Sequence, residues 1–186
     1  MSAAQLISPD YLDLQRELHE NPSYGITARA FGSLVAEVIR ISGATSVCDY
    51  GAGKKLLQGA LAAAGVSNIR YSPYDPTFPE YGLAVKSDLV CCIDVLEHIE
   101  PDLLSNVLQD LASVTGKLAF ISIGLGPAQK TLLDGRNAHL IQEQPEWWRG
   151  QLLRVYGAVS DLPDFSTEER LVLIAADARP HIRSHI

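Results

Sequence analysis

Two groups of residues in this chain have the types and spacing that chemistry needs. The first is Asp49-Tyr50-Gly51-Ala52-Gly53, followed by Asp75 and Pro76; the second is Asp94, Val95, Glu97 and His98, followed at a distance by His139. Gly51 and Gly53 can take backbone angles closed to other residues, and they let a ligand come close to the main chain. A helix starting just beyond them offers free N–H groups. Asp75, about twenty residues on, suits bidentate hydrogen bonding to ribose hydroxyls. The third glycine of a dinucleotide fingerprint is missing, because Leu56 holds that position. The structural alternative is a tight strand-to-helix turn and nothing more.

The second group mixes carboxylates and imidazoles. Residues at i, i+3 and i+4 of a helix share one face, so Asp94, Glu97 and His98 can project together into a cleft that His139 also reaches. Either His98 or His139 suits proton removal near neutral pH. The four side chains Asp94, Glu97, His98 and His139 are also a candidate site for a divalent cation, Mg or Mn. Such an ion would fix vicinal hydroxyls and lower a hydroxyl pKa. The plainer alternative is that Glu97 and His98 only order a local turn. A third concentration of polar groups, Asp134 to His139, offers Arg136 to clamp a carboxylate or phosphate and Asn137 to read an amide or ring edge. Trp147 can stack on a flat group, while Trp148 suits core packing.

The elements that must carry these residues alternate. Ser8 and Pro9 open a first helix to Leu18, and a break at Asn21 to Gly25 leads to a second, Thr27 to Ile41, stopped by Gly43. Strand Ser46–Asp49 precedes the glycine loop and a helix from Lys55 to Ala64. Strand Asn68–Tyr71 precedes a Pro-rich turn, Ser72 to Thr77. Asp88–Ile93 reads as a fully buried parallel strand, followed by a helix from Asp102 to Val114 and the strand Lys117–Ile123. An irregular stretch, Gly124 to Gln144, leads to a helix starting at Pro145 and a last strand, Glu169–Ala175. Strand–helix alternation implies an α/β fold with a mostly parallel sheet and helices on both faces. Ligands in such sheets bind beyond the carboxyl ends of the central strands.

The chain has 186 residues and a formal net charge of −7. That length suits one domain spanning 1–186, with residues 1–26 as a helical extension or lid. The acidic balance argues against extended nucleic-acid binding. No apolar stretch reaches the roughly 18 residues of a membrane span, and the N-terminus lacks a secretory pattern, so a cytoplasmic protein, monomer or homodimer, is expected. Cys48, Cys91 and Cys92 show no CxxC spacing and read as reduced core residues.

Val47-Cys48-Asp49-Tyr50-Gly51-Ala52-Gly53 resembles the D-x-G-x-G motif of class I S-adenosylmethionine (SAM)-dependent methyltransferases. The run Asp88 to Ile99 resembles their fourth-strand motif, D-x-V-x-x-x-x-V-L-E-H. The resemblance covers Thr27 to Ala175 and implies a Rossmann-like fold. It places Gly51 and Gly53 at the methionine part of SAM, Asp49 near its amino group and Asp75 on the ribose, with Tyr50, Ala52, Pro76, Asp94 and Val95 beside the cofactor. Acid-x-x-Glu-His with a distant histidine is similar to metal-dependent O-methyltransferases, including small-RNA 3′-terminal 2′-O-methyltransferases, although their first acid is glutamate. Lys54-Lys55 departs from the commoner small or acidic residue followed by glycine. Only about a dozen residues separate Asp75 from Asp88, too few for the usual third strand and helix. A shortened third-strand region is therefore expected, with the loop Phe78 to Lys86 forming the adenine edge. The implied activity is methyl transfer to O or N of a small polar acceptor. The alternatives are a metal-dependent 2′-O-methyltransferase on a nucleotide or RNA end, and a non-catalytic SAM-binding regulatory or assembly protein.

Overall fold

A computed structural model describes residues 4–176. Its six strands are β1 (Ser46–Tyr50), β2 (Arg70–Tyr74), β3 (Ser87–Ile93), β4 (Thr115–Gly124), β5 (Ala158–Asp161) and β6 (Arg170–Ala176). They form one sheet in the order β2-β1-β3-β4-β6-β5. The first four run parallel, and β6 lies antiparallel to both β4 and β5. This is the mostly parallel α/β sheet that the alternating pattern implied.

Five α-helices accompany it: α1 (Pro9–Glu20), α2 (Gly32–Ser42), α3 (Leu56–Ala63), α4 (Leu104–Val114) and α5 (Pro145–Leu152). Side chains alternate across a strand, and the sheet has a separate apolar layer on each face. Val47, Leu89, Cys91 and Phe120 meet Val35 and Ile39 of α2 and Leu57 and Leu61 of α3. Cys48, Val90, Cys92 and Ile121 meet α4 and, through Trp148 and Leu152, α5. Each fully buried leucine in these layers contributes about 1.5–3 kcal/mol. All three cysteines are free and buried, and burial pushes the Cys48 thiol up to about 11.

α1 belongs to neither layer. The Ser8 hydroxyl caps it by accepting from Tyr11 N, and Tyr11 packs with Leu132 and Ala138 of the long loop after β4. The first helix and that loop together make a roof over the carboxyl ends of the strands.

Two expectations need correction. Strand β2 runs to Tyr74, whereas the sequence placed a turn from Ser72. Pro73 lies inside it, opposite Asp49; β2 is an edge strand, where a missing N–H costs no ladder bond. Strand β5 was not anticipated, since four largely exposed residues give no hydrophobic signal. Between β2 and β3 the described chain has only a short 3-10 turn, Pro79–Tyr81, so the third strand and its helix are absent. No helix of the described residues is long and apolar enough to cross a membrane.

Gly32 marks a close contact between α2 and α3. A Cβ there would sit 2.5 Å from Ala60 Cβ and 2.8 Å from its carbonyl carbon, and backbone cannot retreat cheaply. Gly32→Val is expected to lower stability by about 1–3 kcal/mol, read as a fall in midpoint in chemical denaturation. An unchanged midpoint would show that α2 and α3 do not meet this closely.

Candidate active site

The glycine loop is bound to the end of β2. Gly51 N and Ala52 N both donate to Tyr74 O, at 2.8 and 2.9 Å. Gly53 N donates to Asp75 Oδ2 at 2.9 Å, and Tyr81 Oη donates to Gly53 O at 3.0 Å. Gly51 has φ +78°, and a Cβ there would lie 2.4 Å from a Val95 methyl. Both reasons call for glycine. Asp75 Oδ1 accepts from Thr77 N and from its hydroxyl, at 2.9 and 2.5 Å. A carboxylate offers about four lone-pair sites, so Asp75 keeps one further acceptor position, on Oδ2.

Gly51, Ala52, Gly53, Tyr74, Asp75 and Thr77 line one end of a cavity of about 670 Å³, which also takes in Pro76, Asp94, Val95, His98 and His139. Between the ends lies an apolar wall of Tyr50, Tyr74, Val95, Val107, Ile99 and Leu6, members of one packed cluster. The Tyr50 and Tyr74 rings sit 4.8 Å apart, and Tyr50 Oη donates to Asp110 at 2.8 Å. The loop Phe78 to Lys86 does not line the cavity. Phe78 and Tyr81 stack on each other at 5.2 Å behind the glycine loop, with the Lys55 ammonium 4.6 Å from the Tyr81 centroid.

At the other end, β3 runs into a single 3-10 turn, Leu96–His98. Asp94 sits at φ +52° and turns to one side. Its carboxylate accepts from the Ser122 hydroxyl and from Arg170 Nη2 at 2.9 Å. Asp94 therefore stands apart from the group in which one ligand atom each of Glu97, His98 and His139 fall within 4.8 Å of one another.

Glu97 is fully buried. Its Oε1 accepts from Gly124 N at 2.6 Å, while Oε2 has no partner among the described residues. Burial, then the Asp94 charge, holds this carboxyl well above the usual range. His98 Nδ1 lies 2.7 Å from Ala138 O, and His139 Nδ1 lies 2.6 Å from Gly126 O. A carbonyl oxygen only accepts, so each Nδ1 carries the proton and each Nε2 holds a lone pair. Burial, and next the neighbouring His139, lower the His98 pKa to about 4, which keeps it neutral at pH 7. The rings meet edge to face at 4.8 Å. Two imidazoles oriented by carbonyls, beside a Glu97 oxygen with no partner among the described residues, can take up a proton or a cation.

The roof fastens to this end. Tyr11 Oη donates to His98 O at 2.5 Å and accepts from Gln15 Nε2 at 2.6 Å. Tyr24 Oη donates to Gln15 Oε1 at 3.1 Å and lies 3.5 Å from His98 Nδ1. Tyr11 and Gln15 were missed in the sequence, yet their i, i+4 spacing on α1 marks one buried polar face.

The three side chains expected to hold the acceptor do not line the cavity. Arg136 pairs with Asp134 at 2.6 Å and lies over the Tyr11 ring. Asn137 exchanges hydrogen bonds with both backbone groups of Ala128 at 2.9 Å and accepts from His139 N, so it shapes the loop. Trp147 packs edge-on against Trp148 in the apolar cluster. Gln129 and Lys130 line the cavity from this loop instead.

Asp49 also faces elsewhere. It shares the side of β1 that carries Val47, toward α2 and α3, and its carboxylate accepts from the Tyr71 hydroxyl. Burial pushes its pKa up to about 7 despite that bond. The unfolded value lies near 3.9. The folded state therefore holds a proton that the unfolded state has lost, and stability falls as pH rises from about 4 through 7. Asp49→Asn keeps an acceptor for Tyr71 and removes this penalty. Its gain over wild type should be larger at pH 8.5 than at pH 5, by on the order of 2 kcal/mol, in paired denaturation curves. Equal gains at both pH values would contradict the assignment.

No protein-family model matches the chain, and no curated protein matches it by sequence. Solved structures do match. Burkholderia thailandensis 1,6-didemethyltoxoflavin-N1-methyltransferase, with bound 1,6-didemethyltoxoflavin and S-adenosylhomocysteine (SAH), is 16% identical with a TM-score of 0.58. That match covers 96% of this chain and 94% of the other. TnmH is 15% identical over 87% of this chain, with a TM-score of 0.56. Human N-acetylserotonin methyltransferase, in complex with SAM, is 14% identical over 91% of this chain, with a TM-score of 0.55. The chain spans 60% and 56% of these last two. At such identities the likeness is one of fold, and it agrees with the strand order and the loop geometry: this chain has the class I SAM-dependent methyltransferase fold.

Proposed function

We propose that the protein transfers a methyl group from SAM to O or N of a small polar acceptor. One observation carries this: a single cavity joins the Gly51–Gly53 loop and Asp75 to the His98–His139 pair. A volume of about 670 Å³ lies in the range of small-molecule sites. The Burkholderia neighbour, of nearly the same extent, holds a small heterocycle and SAH, which supports an acceptor of that size.

The residues present fit the cofactor. Asp75 Oδ2 has one acceptor position for a ribose hydroxyl, and the Tyr50–Tyr74–Val107 wall suits a flat base. When bound, SAM supplies a methyl on a positively charged sulfur. The chain then positions the acceptor and removes its proton. An Nε2 lone pair of His98 or His139 would take that proton. The roof formed by α1, Tyr24 and the β4–α5 loop limits water and holds the approach in line, where positioning supplies much of the rate.

The bare Glu97 Oε2 favours a second use of the same end. Glu97, His98 and His139 form a three-ligand set, with carbonyl oxygens fixing both imidazole tautomers as is usual behind metal ligands. A divalent cation held there would polarise an acceptor hydroxyl. Asp94, engaged by Arg170, is outside this set.

Calorimetric titration of wild type with SAH is expected to give binding at about 100 µM protein or below, and Asp75→Ala should weaken it about tenfold or more. No heat in wild type would overturn the methyl-transfer reading; an unchanged affinity in Asp75→Ala would overturn the ribose contact. For the cation, Mn²⁺ should bind wild type and not the His98→Ala, His139→Ala double variant. Equal uptake by both would leave only the imidazole base.

A further inference from the structure

Lys54 stands where the cofactor loop ends, and its side chain does not lie free in solvent. The ammonium donates to Asn21 O at 2.6 Å and to Tyr24 O at 2.9 Å. Those two carbonyls belong to the turn that follows α1. A cation reaching back from the loop thus closes this turn through charge-assisted bonds of the stronger kind.

The fastened turn carries Tyr24 and packs against His19, which belongs to the last turn of α1. Tyr24 reaches the chemical end, with its hydroxyl 3.5 Å from His98 Nδ1. His19 fills the gap above the loop. A Cβ built on Gly53 would come 3.1 Å from its Cε1, and one on Gly25 would come within 3.5 Å. The His19 ring meets Tyr24 and Phe78 edge-on at 5.0 and 5.2 Å, and it lines the cavity. One lysine is therefore linked to both ends of the site, through a turn only a few residues long.

We propose, resting on the methyl-transfer reading above, that Lys54 is a positioning residue. It fastens the Asn21–Tyr24 turn to the cofactor loop, sets the Tyr24 hydroxyl against His98 and holds the His19 ring over Gly53. Occupancy of the loop and order at His98 are then coupled, because both bias the same turn.

The test uses the whole chain and two readouts: SAH affinity, and the side-chain imidazole ¹H–¹⁵N resonances of His19 and His98, assigned with His19→Gln and His98→Gln. Lys54→Met should weaken SAH about tenfold and move both sets of resonances. Lys54→Arg, which restores a cationic donor, should recover them in large part, and Lys117→Met, near the start of β4 and away from the cavity, should move neither. If Lys54→Met shifts neither histidine and leaves SAH affinity within about twofold, the proposal is wrong. Tyr24→Phe, which keeps the lysine bonds, should move His98 and leave His19, and an unmoved His98 would also overturn the proposal. A wild type that binds no SAH would sink the methyl-transfer reading, while the histidine resonances would still decide whether Lys54 positions the turn.

Discussion

In-register parallel pairing of β1 with β2 and β3 is the constraint on which the rest depends. Tyr50 stands opposite Tyr74, and Asp49 opposite Cys91, so the three carboxyl ends finish at one edge. The turns that follow have no choice but to meet there. Tyr74 O then takes two loop amides, and the Asp75 carboxylate takes a third. A shift of one residue in β2 would turn its side chains to the opposite faces and remove Asp75 from the cavity.

The polar end obeys a different physics. Glu97 is buried with one oxygen unpaired, a state that costs about 1–3 kcal/mol. Gly124 makes the close approach possible: a Cβ there would lie 2.9 Å from Glu97 Oε1 and 2.7 Å from His139 Cε1. Carbonyls fix both histidines with their Nδ1 protonated. Strained or unsatisfied groups gather at functional sites and persist where the surroundings determine them. Asp94, at positive φ and paired with Arg170, is another such group beside the same cavity.

Losing the third strand leaves β2 at the sheet edge and sends its chain back to β3 through one short turn. The segment around Phe78 and Tyr81 consequently supports the glycine loop from behind, through the Tyr81–Gly53 bond. The apolar wall falls to Tyr50, Tyr74, Val107 and residues from the N-terminus. The roof compensates in a related way. It is tied by Tyr11 to His98 and packed by Leu132 and Ala138.

The sequence by itself determined the order of elements apart from β5, the glycine loop, Asp75 and the Glu97–His98 turn. Each of these is local: a capping serine, an apolar run, a glycine pair after a strand. It also held the missing strand, as a spacing too short to contain one. Tertiary structure alone decided which way the side chains turned. Asp94 was drawn off by Arg170, which lies far along the chain, and Asp49 faced α2 and Tyr71 because alternation put it on the side away from the cleft. Arg136 and Asn137 found partners within their own loop, and Pro73 entered a strand because that strand lay at an edge. Local rules fix what a segment forms, but a polar side chain goes to whichever partner packing brings within about 3 Å, and no sequence window contains that partner.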